Sequence, residues 1–432
     1  MLDNVNSKYI LSIIINNIRN KRKLNIIKYN KGLIKQLNIT KADFKIYEIL
    51  KEFNTKFYIN IEDIDIKYLN LSSSKLMSED LKELTKIEFK ELLKLFLNDN
   101  EISNINILEK VNFKELIELD LHRNIITDIS ILENVNFRKL KNLILYSNNI
   151  TNINALEKVK FEKLEKLDLS YNKISDINIL EKVNFKELKE LYMYHNKILS
   201  INVLAKVKFE NLEKLDLSYN QISDINILEK VNFKELKELN LGENKISEIK
   251  VLEKVKFEKL EILYLNDNNI SNIDILEKVN FKEIKKLRLY KNKISDIKIL
   301  ENFQFEKLGV LDFGANNISN IDILENVNFK DLKELYLSKN KITDISVLEK
   351  VKFEKLELLD LSENNISNIN ILERTNFKEL KKLLLSENEI LEISVLERIK
   401  FEKLELLDLS DNKIDVKQNN LIISKMESIL KI

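Results

Sequence analysis

Cysteine, proline and tryptophan are all missing from the 432 residues, and histidine occurs only twice and glycine four times. The absence of cysteine excludes disulfides, thiolate metal sites and cysteine nucleophiles, and it is compatible with a reducing compartment. None of the four glycines belongs to a phosphate-cradling cluster, so a nucleotide site lacks its loop. Neither sign of charge dominates: 71 Lys and Arg against 70 Asp and Glu leave a formal charge of +1. With no overall field to draw in nucleic acid or anionic lipid, any partner must be recognised locally. Long apolar runs are missing too, since no stretch approaches the roughly 20 residues a helix needs to cross a bilayer. The amino-terminal run YILSIII follows Asp3, precedes the basic RNKRK and has no small-residue cleavage site, which makes a poor signal peptide. The expectation is a soluble chain inside the cell, cytoplasmic or nuclear, monomeric, without a cofactor and without a membrane or nucleic-acid partner.

What is present is repetition. Asn100, Asn124, Asn148, Asn172, Asn196, Asn220, Asn244, Asn268, Asn292, Asn316, Asn340, Asn364, Asn388 and Asn412 stand 24 residues apart, giving fourteen units. A phenylalanine column from Phe89 to Phe401 keeps the same step without an insertion. In each LxL the two leucines are two apart, so on a strand both point to one face and their neighbours to the other. A polar Asn among apolar residues costs free energy unless its amide is paired; stacked coils supply backbone partners in the turn and in the next coil. The following Ile, Ile, Leu, Val and Phe turn inward from the returning limb, each buried side chain contributing roughly 1.5–3 kcal/mol. One unit cannot shield these groups alone, whereas stacked units cover one another.

The consensus LxxLxLxxNxIxxIxxLEKVxFxx, over about residues 89–412, resembles the leucine-rich repeat. Its IxxIxxL half is similar to the short repeats of bacterial internalins and of the intracellular phosphatase-regulating class, lengthened by two residues. The resemblance implies an α/β solenoid, a curved horseshoe with a parallel sheet on its concave side.

A finer period of 48 alternates FKELKEL with FEKLEKL. The residue after Phe runs Lys186, Glu210, Lys234, Glu258, Lys282, and three residues later the signs alternate as Lys189, Glu213, Lys237, Glu261, Lys285. Opposite charges are expected side by side on the convex side, each exposed pair adding about 0–1 kcal/mol and helping to fix register.

The ends differ from the middle. Apolar spacing over residues 1–60 predicts three helices in a helical module or cap, in SKYILSIIINNIRN, RKLNIIKYNKGLIKQL and KADFKIYEILKEF. FYINIEDIDIKYLNL alternates as a strand does, and residues 61–88 read as a degenerate first repeat. Residues 413–432 predict a capping helix, with Leu421, Ile422, Met426, Ile429 and Leu430 on one side. ILSIIINNIRNKRKLNIIKYNKGL also has a faint similarity to the F-box, without its Leu-Pro opening and Trp; this would imply a ubiquitin-ligase substrate receptor.

The repeat leaves little room for catalysis or a metal. His122 and His195 are three repeats apart, about 14 Å by strand spacing, and both read as surface polarity. Asp120, Asp168, Asp216, Asp312, Asp360 and Asp408 occupy alternate repeats, so carboxylates about 9.6 Å apart form no close dyad. No catalytic, metal or cofactor residue is assigned. Variation concentrates instead on the non-leucine strand positions. Tyr146, Tyr171, Tyr192, Tyr194, His195 and Tyr219 come together as a partner-binding patch or as a cross-strand stack, the patch being the expectation. A second group, Tyr264, Arg288, Tyr290, Lys291 and Tyr336, is more basic, and Asp360, Glu363, Glu387, Asp408 and Asp411 make the last part acidic. One unit, ENFQFEKLGVLDFGANN, puts Phe303 for Val and Phe313 for Leu. Gly314 and Ala315 open a gap between Tyr290 and Tyr336, either a notch or, the favoured reading, repacking around Phe313. The function expected is a non-catalytic scaffold that binds another protein through the concave face. Intracellular relatives of this type regulate a phosphatase catalytic subunit; the other readings are the F-box-like receptor and an internalin-type surface adhesin.

Overall fold

A computed structural model describes residues 41–61, 65–399, 401–415, 420–425 and 428–431. The first two expected helices and the F-box-like stretch lie outside the described residues. The chain divides into two compact units, Met1–Lys173 with Val183–Phe185 and Ile174–Lys182 with Lys186–Ile432.

The first unit holds five strands among its described residues, β1 (Tyr68–Asn70), β2 (Lys94–Phe96), β3 (Glu118–Asp120), β4 (Asn142–Ile144) and β5 (Lys166–Asp168). They pair in parallel and in register, so that Leu69, Leu95, Leu119, Leu143 and Leu167 form one buried row. Each strand is three residues long because the chain must turn back to reach the next coil. The returning limb carries a 3₁₀ turn such as Asn154–Glu157, which buries Leu156. Segments of four or five residues are too short for a settled α-helix; the described 24-residue repeats contain none. The solenoid is therefore built from strand and 3₁₀ turn.

Before β1 stands α1 (Lys41–Phe57), the third expected helix. Its Phe53 is buried, with ring centroids 4.6 Å from Phe57 and 5.9 Å from Phe89. Lys56 adds ion pairs to Asp80 at 2.9 Å and Glu83 at 3.7 Å. Among the described residues of FYINIEDIDIKYLNL, the expected strand is found at Tyr68–Asn70. Phe57 ends the helix, and the Asn54 amide grips Ile61, accepting from its N–H at 2.8 Å and donating to its carbonyl at 2.7 Å. That double bond to the helix takes up backbone groups a strand would need.

The second unit runs from β6 (Glu190–Tyr192) to β15 (Leu406–Asp408) on the same plan. Its end corrects the expected capping helix. Among the described residues of that stretch the helix α2 covers Asn420–Lys425, and Leu430–Lys431 forms a further parallel strand, β16, against β15. An edge strand leaves backbone groups open, and this segment fills them: Leu407 N–H donates to Ile429 O and Leu409 N–H to Lys431 O, both at 2.7 Å. Lys431 also pairs with Asp408 at 2.8 Å.

The asparagine column ties the coils together. Asn124 Nδ2 donates to Leu121 O of its own turn and to Leu97 O of the coil before, both at 3.0 Å, while Oδ1 accepts from Ile102 N–H at 3.0 Å. Asn244 repeats the pattern with Leu241 O, Leu217 O and Ile222 N–H. The coil served is the preceding one, where the next was expected. Even the irregular first coil is served, since Asn100 Oδ1 accepts from Ser74 and Leu76 N–H. The phenylalanine rings form a second ladder, with Phe113 and Phe137 6.4 Å apart and Phe329 and Phe353 at the same spacing.

Charge alternation also meets in space. Lys237 pairs with Glu213 at 2.7 Å and Lys285 with Glu261 at 2.8 Å, four residues after each Phe. A column two residues after Phe pairs as well, as Lys307 with Glu283 and Lys403 with Glu379, each at 2.6 Å.

Candidate functional site

The first and third residues of the three-residue strands point away from the buried leucine, and most stand half-buried on the outer face of the sheet, with Tyr68, Asn70 and Lys382 exposed and Asp120 and Asp408 buried. Beyond each strand the residue before the asparagine takes a left-handed backbone, with φ of 49° to 56° at positions that include Tyr171, His195, Tyr219 and Lys291. No glycine marks this column, so the sequence carried no sign of it; non-glycine residues there cost of order 1–3 kcal/mol, offset by the asparagine bonds that follow.

The aspartate column serves the backbone. Asp168 accepts from Ser170 N–H at 3.0 Å, Asp216 from Ser218 N–H at 2.9 Å and Asp312 from Gly314 N–H at 3.0 Å. Each carboxylate closes the turn leaving its own strand. His122 is held in the same way, its Nδ1 2.7 Å from Asp120 Oδ1, and is more than a surface polar group.

The first expected patch is divided between the units. In the first unit Tyr146 meets His122 at 5.3 Å and Tyr171 at 5.8 Å, edge to face. Arg123, which sequence reasoning passed over, lies 6.0 Å from the Tyr146 ring centroid and donates from Nε to Tyr146 Oη at 3.2 Å. Its Nη1 reaches Asp99 at 3.4 Å. Hydrogen bonds from Asn98 and Arg123 hold the Asp99 carboxyl below the usual carboxylate range. In the second unit Tyr192 Oη donates to Glu190 at 3.1 Å, and the His195 and Tyr219 rings stack 5.9 Å apart.

The second group lies wholly in the second unit, on β9 (Ile262–Tyr264), β10 (Lys286–Arg288), β11 (Val310–Asp312) and β12 (Glu334–Tyr336). These strands set Tyr264, Arg288, Asp312 and Tyr336 side by side in register. The Arg288 guanidinium lies 5.4 Å from the Tyr264 ring centroid. Tyr336 Oη donates to Glu334 at 2.9 Å; burial, with that carboxylate beside it, pushes the phenol up to about 12. Burial raises the Asp312 carboxyl, against the lowering effects of the Gly314 N–H and Arg288. Lys291, expected to add to the basic group, is paired with Asp267 at 2.5 Å.

The expected gap at Gly314 is filled. A Cβ at Gly314 would come within 2.9 Å of Tyr290 Cδ2, because the tyrosine ring lies across the glycine. Phe313 is fully buried beneath. Gly314→Ala is expected to push the Tyr290 ring off this seat and cost about 1–3 kcal/mol, read by urea unfolding; an unchanged midpoint would contradict the seating. The acidic end is partly neutralised, since Glu363 pairs with Lys339 at 3.0 Å. Burial alone would raise Asp408, but Lys431 and Ser410 hold it below the usual range.

Among the described residues no group of three His, Cys, Asp or Glu could hold a metal ion, and no helix is long and apolar enough to cross a membrane.

Four stretches, residues 162–206, 210–254, 306–350 and 330–374, match the family model described as Leucine Rich repeats (2 copies). Among solved structures, an internalin (InlF) from Listeria monocytogenes is 27% identical with a TM-score of 0.63, over 78% of this chain and 93% of that one. A leucine-rich repeat protein of Leptospira interrogans is 24% identical with a TM-score of 0.66, over 85% of this chain and 96% of that one. The functional domain of InlJ from Listeria monocytogenes, which includes a cysteine ladder, shares the fold at 19% identity and a TM-score of 0.60, over 84% of this chain and 73% of that one. The comparison with curated proteins finds no match.

Proposed function

Because the chain is a leucine-rich repeat protein, we propose that it acts without catalysis, as a scaffold whose strand face binds another protein. One observation carries this reading: the backbone is the same from coil to coil, while the face columns change, as in the row Tyr264, Arg288, Asp312 and Tyr336. A fixed scaffold with a variable face suits recognition, and tyrosine and arginine are enriched among residues that dominate interface energy. Tyr146, Tyr171, Tyr192, Tyr194, His195, Tyr219, Tyr264, Arg288, Tyr290 and Tyr336 are the contact residues of this proposal. A photo-crosslinking residue at Tyr194 or Tyr219 is expected to give the same discrete adduct in cell extract, and one at the exposed Lys256 on the returning limb to give none. Adducts from Lys256 alone would refute the assignment of the face. Tyr192→Ala combined with Tyr194→Ala is expected to change stability by only about 1 kcal/mol while abolishing the Tyr219 adduct; a large loss of stability with the adduct intact would have the same meaning.

We place the scaffold inside the cell, consistent with the absence of cysteine. The second reading, an internalin-type surface adhesin, is favoured by the 27% identity with the Listeria internalin. Fractionation of the untagged protein separates the two, and recovery from the cell surface or medium would select the adhesin.

A further inference from the structure

Among the described residues, Arg123, Arg374 and Arg398 each hold an ion pair with a carboxylate, and Arg138 donates to Asn136. Arg288 differs. Its Nε is shielded from solvent without a hydrogen-bond partner, and its guanidinium lies over the face of Tyr264. Asp312, its register partner on β11, accepts from the Gly314 N–H through Oδ1 and acts on the guanidinium only through its charge, with no ion pair between them within 4 Å. A guanidinium with a buried Nε that meets no acceptor is costly, and an anion from outside that accepts from it would offset the cost.

The surroundings describe that anion. Lys286, two residues before Arg288, stands on the same face and adds a second cation. Ile262 and Tyr264 on one side and Val310 on the other supply apolar surface. Next to them the side chains part: Asn266 lies over Gly242, where a Cβ would come within 2.7 Å of its Oδ1, whereas Tyr290 lies over Gly314. These neighbours lean in opposite directions, which uncovers the face beside the guanidinium.

We propose that Arg288 receives the carboxylate of an Asp or Glu side chain from an extended segment of a partner protein, with Tyr264, Tyr290 and Tyr336 packing on the apolar atoms that flank it. The proposal rests on the strand face being the protein-binding surface. Guanidinium offers a planar fork that matches a carboxylate with two parallel hydrogen bonds, and a neighbouring aromatic face holds that fork flat.

The test uses the full chain and random peptides displayed on phage, with enriched sequences resynthesised as fluorescent probes. Enriched peptides are expected to share an acidic residue beside an apolar or aromatic one. Arg288→Ala is expected to weaken them by about 10- to 150-fold, and Arg288→Lys by less. Changing the peptide's Glu to Gln or Asp to Asn should cost a similar factor with the unaltered protein and add little on Arg288→Ala, since both changes remove one interaction. The peptide change needs no protein variant, so it stands even if Arg288→Ala misfolds. Peptides that are lost on Tyr264→Ala or Tyr336→Ala but bind regardless of Arg288 and of their own acidic residue would overturn the proposal and leave the face assignment intact. If no peptide depends on any face residue, both fall.

Discussion

Asn244→Ala is expected to destabilise the protein by about 3–5 kcal/mol, although it removes only a small polar side chain. The amide is 9% exposed, and Oδ1 accepts from Ile222 N–H at 2.9 Å while Nδ2 donates to Leu217 O and Leu241 O at 3.1 Å and to Gly242 O at 3.0 Å. Alanine leaves one backbone donor and several acceptors in a dry interior, and each buried group without a partner costs about 1–3 kcal/mol. Asn244→Asp should recover only part of the loss, because a carboxylate accepts from Ile222 but cannot donate to the carbonyls. Urea unfolding reads the difference, with the exposed Asn328→Ala as a control expected to stay within about 0.5 kcal/mol. A loss below about 1 kcal/mol at Asn244 would mean that water reaches the coil interior and replaces the amide.

Phe233→Ala is expected to cost about 3–5 kcal/mol by a different route, as a cavity. The ring is 2% exposed and its column neighbours Phe209 and Phe257 are each 1% exposed, so nothing near it is free to collapse into the space. Phe233→Leu restores most of the volume and should cost less, within about 1.5 kcal/mol. If the alanine and leucine variants unfold at the same urea concentration, packing at this column is looser than the burial implies. Because stability in stacked coils is close to a sum of unit and interface terms, the damage at Asn244 and Phe233 should spread to adjacent coils and fade with distance, which hydrogen exchange would map.

The columns that build the coil were legible in the sequence because their causes are periodic. A leucine pair two apart, an asparagine and a phenylalanine recurring every 24 residues state the strand, its exit and its core. What escaped was nonperiodic or lacked a residue signature. The left-handed position before each asparagine holds Arg123, Tyr171, Glu243 or Lys339 with equal ease, so no residue type announces it. The spacing of the alternating aspartates excluded a close dyad, yet it did not reveal that each accepts a backbone N–H two residues on. At Gly314 the sequence showed missing volume but not that Tyr290 would lie down to fill it. The terminal strand at Leu430–Lys431 hid behind helical spacing because the open edge of β15 offered it partners stronger than its own pattern. Of the candidate site, the residue types and their columns were readable, whereas which arginine lacks an acceptor depended on side-chain directions that spacing alone does not set.

The asparagine ladder has an arrow. Ile222 N–H finds its acceptor 22 residues later, and Ile366 N–H finds Asn388 at the same interval. During synthesis, a coil whose leucines have already emerged therefore waits for the following asparagine before its backbone is satisfied. Assembly should trail the ribosome by one coil, and a nascent chain stopped anywhere within a unit would expose a single unfinished turn at its growing end. The last described strand keeps the same arrow, since the backbone groups of Leu407 and Leu409 wait until Ile429 and Lys431 arrive.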